Sequence, residues 1–250
     1  LVGGLGGIGI KLDKFLVKRG CANIALISRK DCGDFRKAKA GEMTVCKELR
    51  EIEKSGCHLE CVSADVTDFD RMKDIRDLLM NKYGAIRGIM HCAANNEGNR
   101  FKENDFDDFE RLMKAKVRGV KVLEEITRDM ELDFFVLFSS AICITGGSGC
   151  SSYIAGNMYL TEFAKRYSNA KNKLVSVQWS AWRQTGLAKY NNVDKDKELF
   201  IPLEPVCAYT ALEEIIENGC SYITVGKVNH ESHIWKMKDI LPFRFECVKE

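Results

Sequence analysis

This sequence has few prolines, a small net charge and no long apolar run. Only 3 of the 250 residues are proline, and no repeat or low-complexity linker divides the chain. The formal net charge is +2 without a dense basic run, which argues against a nucleic-acid or membrane partner. No stretch approaches the ~20 apolar residues of a membrane span. With 45% hydrophobic residues, the chain can instead bury a full core.

The 11 cysteines lack the spacings that are typical of metal or redox motifs. Cys57 and Cys61, the closest pair, match neither the zinc-knuckle nor the thioredoxin spacing. His230 and His233 have no cysteine or third histidine beside them, so we interpret them as solvated loop residues and predict no metal site. Many free thiols and few prolines favour a reducing cytoplasm over a secreted disulfide framework.

Strands and helices are predicted to alternate along the chain. Short apolar segments predict strands at 23–28, 58–63, 86–93, 133–139, 174–179 and 222–225. Helical spacing of apolar residues predicts helices at 10–19, 43–55, 68–83, 106–129, 152–168 and 204–217. Residues 30–41 are predicted to form a loop. The expected fold is α/β: a Rossmann-like, doubly wound parallel sheet with helices on both faces, in three αβα layers.

The chain starts in the middle of a predicted element. Leu1 and Val2 run directly into glycines and have no initiating methionine before them, so we expect a truncated first strand in a piece of a longer polypeptide. A central strand that is mostly lost leaves two unpaired edges. Residues 1–250 alone are therefore expected to be poorly stable without upstream sequence.

The segment after Val2 contains the pattern Gly-x-Gly-x-x-Gly. It reads Gly3, Gly4, Leu5, Gly6, Gly7, Ile8 and Gly9. Glycines allow backbone N–H groups to approach a pyrophosphate closely, and the positive end of the following helix then faces the phosphates. Its place at a strand–helix junction predicts a dinucleotide site, with a plain glycine turn as the alternative.

The residues after the next strands favour NADPH as the cofactor. An NAD site usually has a carboxylate after the second strand, whereas this chain has Ser28 and Arg29. A guanidinium can pair bidentately with a 2′-phosphate, although Arg29 is alternatively a solvated surface charge. Asp65 is placed to accept a hydrogen bond from the adenine amine. Val66 and Ala93 complete the candidate cofactor contacts.

Four residues form the candidate catalytic set. A carbonyl that accepts hydride needs a proton donor, and the Tyr153 hydroxyl is a poor one unless its anion is stabilised. The Lys116 ammonium would stabilise that anion and hold the nicotinamide ribose hydroxyls. Ser140 would orient the substrate carbonyl. Asn157 lies one helical turn after Tyr153 and would hold a water that links Lys116 to solvent. The alternatives are that Tyr153 packs in the core, that Ser140 forms a turn and that Lys116 is a solvated helix residue.

These motifs resemble the short-chain dehydrogenase/reductase superfamily, and within it the ketoreductase domains of modular polyketide synthases and animal-type fatty acid synthases. Ordinary members carry Tyr-x-x-x-Lys, whereas the synthase domains have the Lys and Asn exchanged, as in Tyr153, Asn157 and Lys116 here. The family's Leu-Phe-Ser-Ser stands at 137–140. Its Trp-Gly-x-Trp, where a lid over the substrate begins, corresponds to 179–182.

The resemblance implies a function and partners. It implies that residues 1–228 form an NADPH-binding catalytic domain and that 229–250 are a C-terminal extension or linker. The implied reaction is hydride transfer to the β-carbon of an acyl chain held as a phosphopantetheine thioester on an acyl carrier protein. Neighbouring synthase domains, including an upstream structural half, are the other implied partners.

Several positions depart from the family pattern. Val2 stands for the usual Thr before the glycines, and Ala94 for the Gly of His-Ala-Ala-Gly. Neither of the family's markers of product configuration is present. Members that give one configuration of the alcohol often carry Leu-Asp-Asp at the positions of residues 96–98, and members that give the opposite configuration often carry a Trp at the position of Thr145. The configuration of the alcohol is therefore left open. A non-catalytic module of a synthase and a free-standing short-chain reductase are the competing functions.

Overall fold

The centre of the fold is a parallel sheet whose strands alternate with helices. The computed structural model describes residues 1–30, 44–94, 106–147, 149–183, 185 and 198–236. The parallel strands are β1 (Asn23–Ser28), β2 (His58–Ser63), β3 (Gly88–His91), β4 (Phe134–Ser140), β5 (Leu174–Trp179) and β7 (Tyr222–Val225). They lie in the order β2–β1 and β3–β4–β5–β7. A short antiparallel pair, β6 (Phe200–Ile201) and β8 (Lys227–Val228), lies beside them.

Helices cover both faces of the sheet. They are α1 (Gly7–Lys18), α2 (Thr44–Lys54), α3 (Phe69–Tyr83), α4 (Phe106–Thr127), α5 (Ile142–Thr145), α6 (Ser151–Tyr167), α7 (Pro205–Asn218) and α8 (His233–Lys236). Successive side chains of a strand point to opposite faces. Accordingly, Phe135 and Leu137 of β4 pack with α3, α4 and α6, whereas Val136 and Phe138 pack with α1 and α7. The predicted doubly wound, three-layer architecture is confirmed.

Val2 joins the two parts of the sheet. Its N–H donates to the Met90 carbonyl (2.9 Å) and its carbonyl accepts from Cys92 (2.8 Å), while Gly3 donates to the Ile27 carbonyl (2.8 Å). Val2 thus forms parallel bridges to β1 and β3. A cavity of about 610 Å³ continues from Leu1 between these two strands. Val2 thus stands where the predicted first strand would lie, and the truncation of that strand stays a prediction.

Most predicted boundaries agree with the structure to within two residues, and the largest difference is α1, which begins at Gly7 and not at Ile10. β1, β2, β5 and β7 begin and end at the predicted residues. The strand predicted over 86–93 is wrong in length, because only the four residues of β3 pair with β4. Sequence periodicity does not reveal α5, β6, β8 or α8, since each has four residues or fewer. The loop predicted over 30–41 lies almost wholly outside the described residues.

The start of the predicted C-terminal extension packs against the domain. The Asn229 N–H donates to the Leu199 carbonyl (2.7 Å), and its side-chain amide donates to the Glu198 carbonyl (3.1 Å). His230 and His233 are exposed as predicted, but His233 begins α8 and does not lie in a loop. The boundary at residue 228 stays a prediction.

A buried chain of hydrogen bonds ties α6 to the sheet. The Thr161 hydroxyl accepts from the Gln178 amide (3.1 Å) and lies 3.3 Å from the Ser176 hydroxyl. Thr224 of β7 donates to the Gln178 side-chain carbonyl (2.7 Å). Polar groups without contact to water cost free energy unless they are paired. This network therefore fixes α6 over β5 and β7.

Replacing Thr161 with Val should destabilise the protein. The shape is retained, but the Gln178 amide loses its acceptor in the core, which costs about 1–3 kcal/mol. Urea unfolding of both forms measures this loss. Thr210→Val on the exposed side of α7 is the matched control and should change stability by less than about 0.5 kcal/mol. Equal losses in both variants would contradict a structural role for the network.

Candidate active site

The predicted site residues lie at one edge of the sheet. The carboxyl ends of parallel strands meet at the same edge, where open α/β sheets bind their ligands. β3 ends at His91 and β4 ends at Ser140, and the glycine turn follows Val2 between β1 and β3. Tyr153 occupies the first turn of α6, which begins after the same edge. The fold therefore brings the glycine turn and the candidate catalytic residues to one side.

The glycine turn is closed so tightly that side chains are excluded. Gly6 donates to the Gly3 carbonyl (2.9 Å) and then leads into α1. A Cβ on Gly9 would lie 2.4 Å from the carbonyl oxygen of Gly4, closer than any real contact. A Cβ on Gly3 would lie 2.7 Å from the backbone nitrogen of Ala93. The turn thus needs glycine for its own packing and lies directly against Ala93.

The amino end of α1 is open to a ligand. Gly6 and Gly7 are exposed, Leu5 and Ile8 are partly exposed, and no side chain of a described residue caps the helix. The first backbone N–H groups of a helix have no partner within it, and they carry the positive end of its dipole. The residues present therefore fit the diphosphate of a dinucleotide.

The expected adenosine end carries a positive and a negative group close together. Asp65 accepts hydrogen bonds from the Thr67 N–H (2.9 Å) and hydroxyl (2.8 Å) through one carboxylate oxygen. Burial would raise the pKa of Asp65, but these bonds and the positive charges of Arg29 and Lys114 outweigh it and hold the pKa low. Ser28 accepts from the Lys30 N–H (3.2 Å). An ionised acceptor next to a guanidinium fits the predicted recognition of an adenosine.

Val66 occupies a different environment from its neighbour Asp65. Its side chain is buried, and its Cγ1 lies 2.8 Å from the position that a Cβ on Gly119 of α4 would take. The side chain thus packs between the end of β2 and α4. A role in cofactor binding stays a prediction for this residue.

Lys116 is buried between α4 and α6. Its Nζ donates to the Phe138 carbonyl (2.9 Å) and lies 5.9 Å from the centre of the Tyr153 ring. Burial lowers the pKa of Lys116 to about 8, and the neighbouring thiols of Cys92 and Cys143 act in the opposite direction. At neutral pH the side chain is therefore still mostly an ammonium, placed beside the candidate proton donor.

Tyr153 is held in its protonated form. Burial raises the pKa of its phenol, while the side chains of Ser140 and Asn157 act in the opposite direction. A raised pKa keeps the hydroxyl proton in place until a stronger base, such as a developing alkoxide, is close. Ser140 itself accepts from the Ile142 N–H (3.4 Å), which fixes the hydroxyl at the end of β4.

Asn157 is fully buried and has one open acceptor. Its Nδ2 donates to the Tyr153 backbone carbonyl (2.7 Å), and its Oδ1 has no hydrogen-bond partner among the described residues. Its backbone carbonyl accepts from the Ser139 hydroxyl (3.0 Å). The free Oδ1 fits the predicted acceptor for a relay water.

All four predicted catalytic residues therefore converge, and the structure adds two groups that the sequence did not reveal. The Phe138 carbonyl holds Lys116, and the Ser139 hydroxyl holds the helix turn at Asn157. Both belong to the Leu-Phe-Ser-Ser segment at 137–140, and this motif is the feature of the sequence that could have indicated them. Within the described ranges, no group of three or more metal-ligating residues occurs. No helix in that part of the chain is long and apolar enough to cross a membrane.

Comparisons with known proteins agree on one family. The KR domain family profile matches residues 1–184. A 6-methylsalicylic acid synthase of Arthrobotrys oligospora is 29% identical over 225 residues, which are 87% of this chain and 13% of that protein. A mellein synthase of Phaeosphaeria nodorum is 31% identical over 192 residues, which are 75% of this chain and 11% of that protein.

Solved structures show the same fold. A ketoreductase from the first module of phoslactomycin biosynthesis in a Streptomyces species superposes with a TM-score of 0.83 at 29% identity, covering 97% of this chain and 55% of that chain. A ketoreductase domain from the bacillaene assembly line has a TM-score of 0.81 at 24% identity, covering 96% and 57%, and shows likeness of fold alone.

The parallel sheet, the glycine turn and the converging Ser, Tyr, Asn and Lys side chains define a member of the short-chain dehydrogenase/reductase superfamily. Within that superfamily, the chain belongs to the KR domain family, the ketoreductase domains. It spans only 13% and 11% of the length of the two synthases named above.

Replacing Gly9 with Ala should abolish the open turn. The new Cβ collides with the Gly4 carbonyl, so the backbone has to move away from the phosphate position. We expect NADPH binding, measured by calorimetry, to weaken by about tenfold or more, which requires a loss of only about 1.4 kcal/mol. Gly20→Ala, at a positive φ of 86° but in open space, is the control. It should lower stability and leave NADPH affinity unchanged; the same loss of affinity in both would contradict the steric argument.

Proposed function

We propose that this chain is an NADPH-dependent reductase of β-keto acyl thioesters carried on an acyl carrier protein, acting within polyketide biosynthesis. The observation that carries the proposal is the convergence of Lys116, Tyr153, Ser140 and Asn157 beside an open glycine turn. A scaffold module has no need for a buried ammonium next to a buried phenol, since both cost free energy to desolvate.

The cofactor is assigned from the residues that would hold it. The turn at 3–9 and the start of α1 would bind the diphosphate, and Arg29 would pair with a 2′-phosphate. Lys116 and Tyr153 would contact the nicotinamide ribose. When bound, NADPH supplies the hydride that reduces the carbonyl carbon.

The chain's own residues then handle the proton. Ser140 donates a hydrogen bond that orients the substrate carbonyl. As negative charge develops on that oxygen, the Tyr153 hydroxyl transfers its proton to it and gives the alcohol. The Lys116 ammonium stabilises the resulting phenolate. A water held by the Asn157 Oδ1 returns a proton from solvent, which completes the cycle.

The substrate class rests on the chain's relatives. The relatives include the polyketide synthase PksM of Bacillus subtilis, and the chain corresponds to one segment of synthases many times its length. We therefore propose an acyl carrier protein and neighbouring synthase domains, including an upstream structural half, as its partners.

Tyr153→Phe is the decisive variant for this proposal. It removes one hydroxyl and keeps the ring, so NADPH oxidation with a β-keto thioester surrogate, followed at 340 nm, should slow by about 100-fold or more. NADH should be the poorer cofactor. Tyr159→Phe, six residues later on α6, is the matched control and should keep the parent rate. A parent without activity towards either cofactor, or a Tyr153→Phe variant as fast as the parent, would sink the proposal.

The rate should also report the titration of Lys116. Because burial sets the pKa of Lys116 to about 8, the ammonium is lost as the pH rises through this value, and the phenolate loses its counter-charge. We expect kcat to fall above a pH of about 8, and Lys116→Met to be slow and without this inflection. An inflection that persists in Lys116→Met would assign the titration to another group.

A further inference from the structure

His91 is a buried histidine whose side chain makes one hydrogen bond among the described residues, to the helix that carries Lys116. It is the last residue of β3, has no exposed surface, and its Nε2 lies 3.1 Å from the Ala115 carbonyl oxygen. A carbonyl can only accept, so Nε2 must carry the hydrogen. Nδ1 is then the unprotonated nitrogen, and it has no hydrogen-bond partner among the described residues.

The ring is neutral in the folded protein. Burial, followed by the nearby charge of Lys116, lowers the pKa of His91 to about 3. An imidazolium would place a second cation beside the Lys116 ammonium in a buried site. The neutral Nε2–H form is therefore the form that coexists with a charged Lys116.

The hydrogen bond from His91 to the Ala115 carbonyl helps to fix the position of α4. Ala115 immediately precedes Lys116, and Gly119 lies one turn later on the same face. A Cβ on Gly119 would be 2.8 Å from Val66 Cγ1 and 3.4 Å from His91 Nε2, so α4 contacts the ends of β2 and β3 closely here. The hydrogen bond adds a directional link to this contact, immediately before the lysine.

The position of Lys116 depends on this contact of α4 with Val66 and His91. From α4 its side chain passes Gly156 of α6, whose Cβ position is 3.3 Å from Lys116 Cδ, and ends at the Phe138 carbonyl. A small rotation of α4 would move Nζ away from both the carbonyl and the Tyr153 ring. A residue that sets the rotation of α4 therefore also sets the place of the charge.

We infer that His91 is a positioning residue for the reduction, holding α4 through its Nε2–H so that the Lys116 ammonium stays beside Tyr153. The kinetic part of this inference rests on the proposed function. An ordinary core histidine would affect only stability, and this difference decides the experiment.

Three variants separate the two roles. Gln can place an N–H close to the position of Nε2, whereas Leu fills space without a donor. We expect kcat to fall about tenfold or more in His91→Leu, and most of the rate to return in His91→Gln. Ile52→Ala on α2, a buried residue on a helix that carries none of the four candidate catalytic residues, is the control for lost stability and should keep the parent kcat.

The Lys116 titration tests the inference without any activity. Labelled lysine, with the Lys116→Met spectrum for assignment, should show an NMR-detected pKa near 8 in the parent. In His91→Leu it should move up towards the value of free lysine as Nζ reaches water, and His91→Gln should restore it. Because this measurement needs no substrate, it stands even if the proposed reduction fails.

Nitrogen NMR tests the tautomer directly. The chain has only 4 histidines, so the His91 signals can be assigned by comparison with His91→Gln. We expect a hydrogen on Nε2 and no titration of the His91 ring between pH 5 and 8. A hydrogen on Nδ1, a titrating ring, or a His91→Leu variant that loses only melting temperature would each overturn the inference.

Discussion

The buried ammonium of Lys116 sets a condition that the surrounding structure has to meet. A charge removed from water needs a hydrogen-bond acceptor, and the carbonyl of Phe138 at the end of β4 provides it. This bond requires α4 to cross the ends of β3 and β4 and to approach α6 closely enough that Gly156 touches the lysine chain. The same approach brings the ammonium to the ring of Tyr153. The geometry of the site therefore follows from the packing of α4 against the sheet.

The features that the sequence predicted are those set by neighbours along the chain. The strand at Leu174–Trp179 is buried along its whole length, and its ends were predicted correctly. Asp68 begins α3 because its carboxylate accepts from the Arg71 N–H, a contact between residues three apart. Helical spacing likewise predicted that Asn157 would lie next to Tyr153.

The remaining features depend on contacts between distant segments. No spacing indicates that Lys116 ends at the Phe138 carbonyl, or that His91 reaches the turn before it, because each contact crosses from a strand to a helix. The role of Ser139 was equally hidden, since two adjacent serines differ only in which side of β4 they face. Resemblance to a family predicted the set of catalytic residues, but only the packing shows what holds them.

The division of the proposed catalytic pair, Tyr153 and Lys116, between two helices has a mechanistic consequence. Where a Tyr and a Lys share one helix, four residues apart, a movement of that helix displaces both together. Here Tyr153 belongs to α6, which Thr161 and Ser139 fix to the sheet, whereas Lys116 belongs to α4, which contacts β2 and β3 at Val66 and His91. The proposed proton donor and the proposed stabilising charge therefore lie on different helices. Because α6 has its own hydrogen bonds to the sheet, a small shift of α4 is expected to move the Lys116 ammonium relative to the phenol of Tyr153.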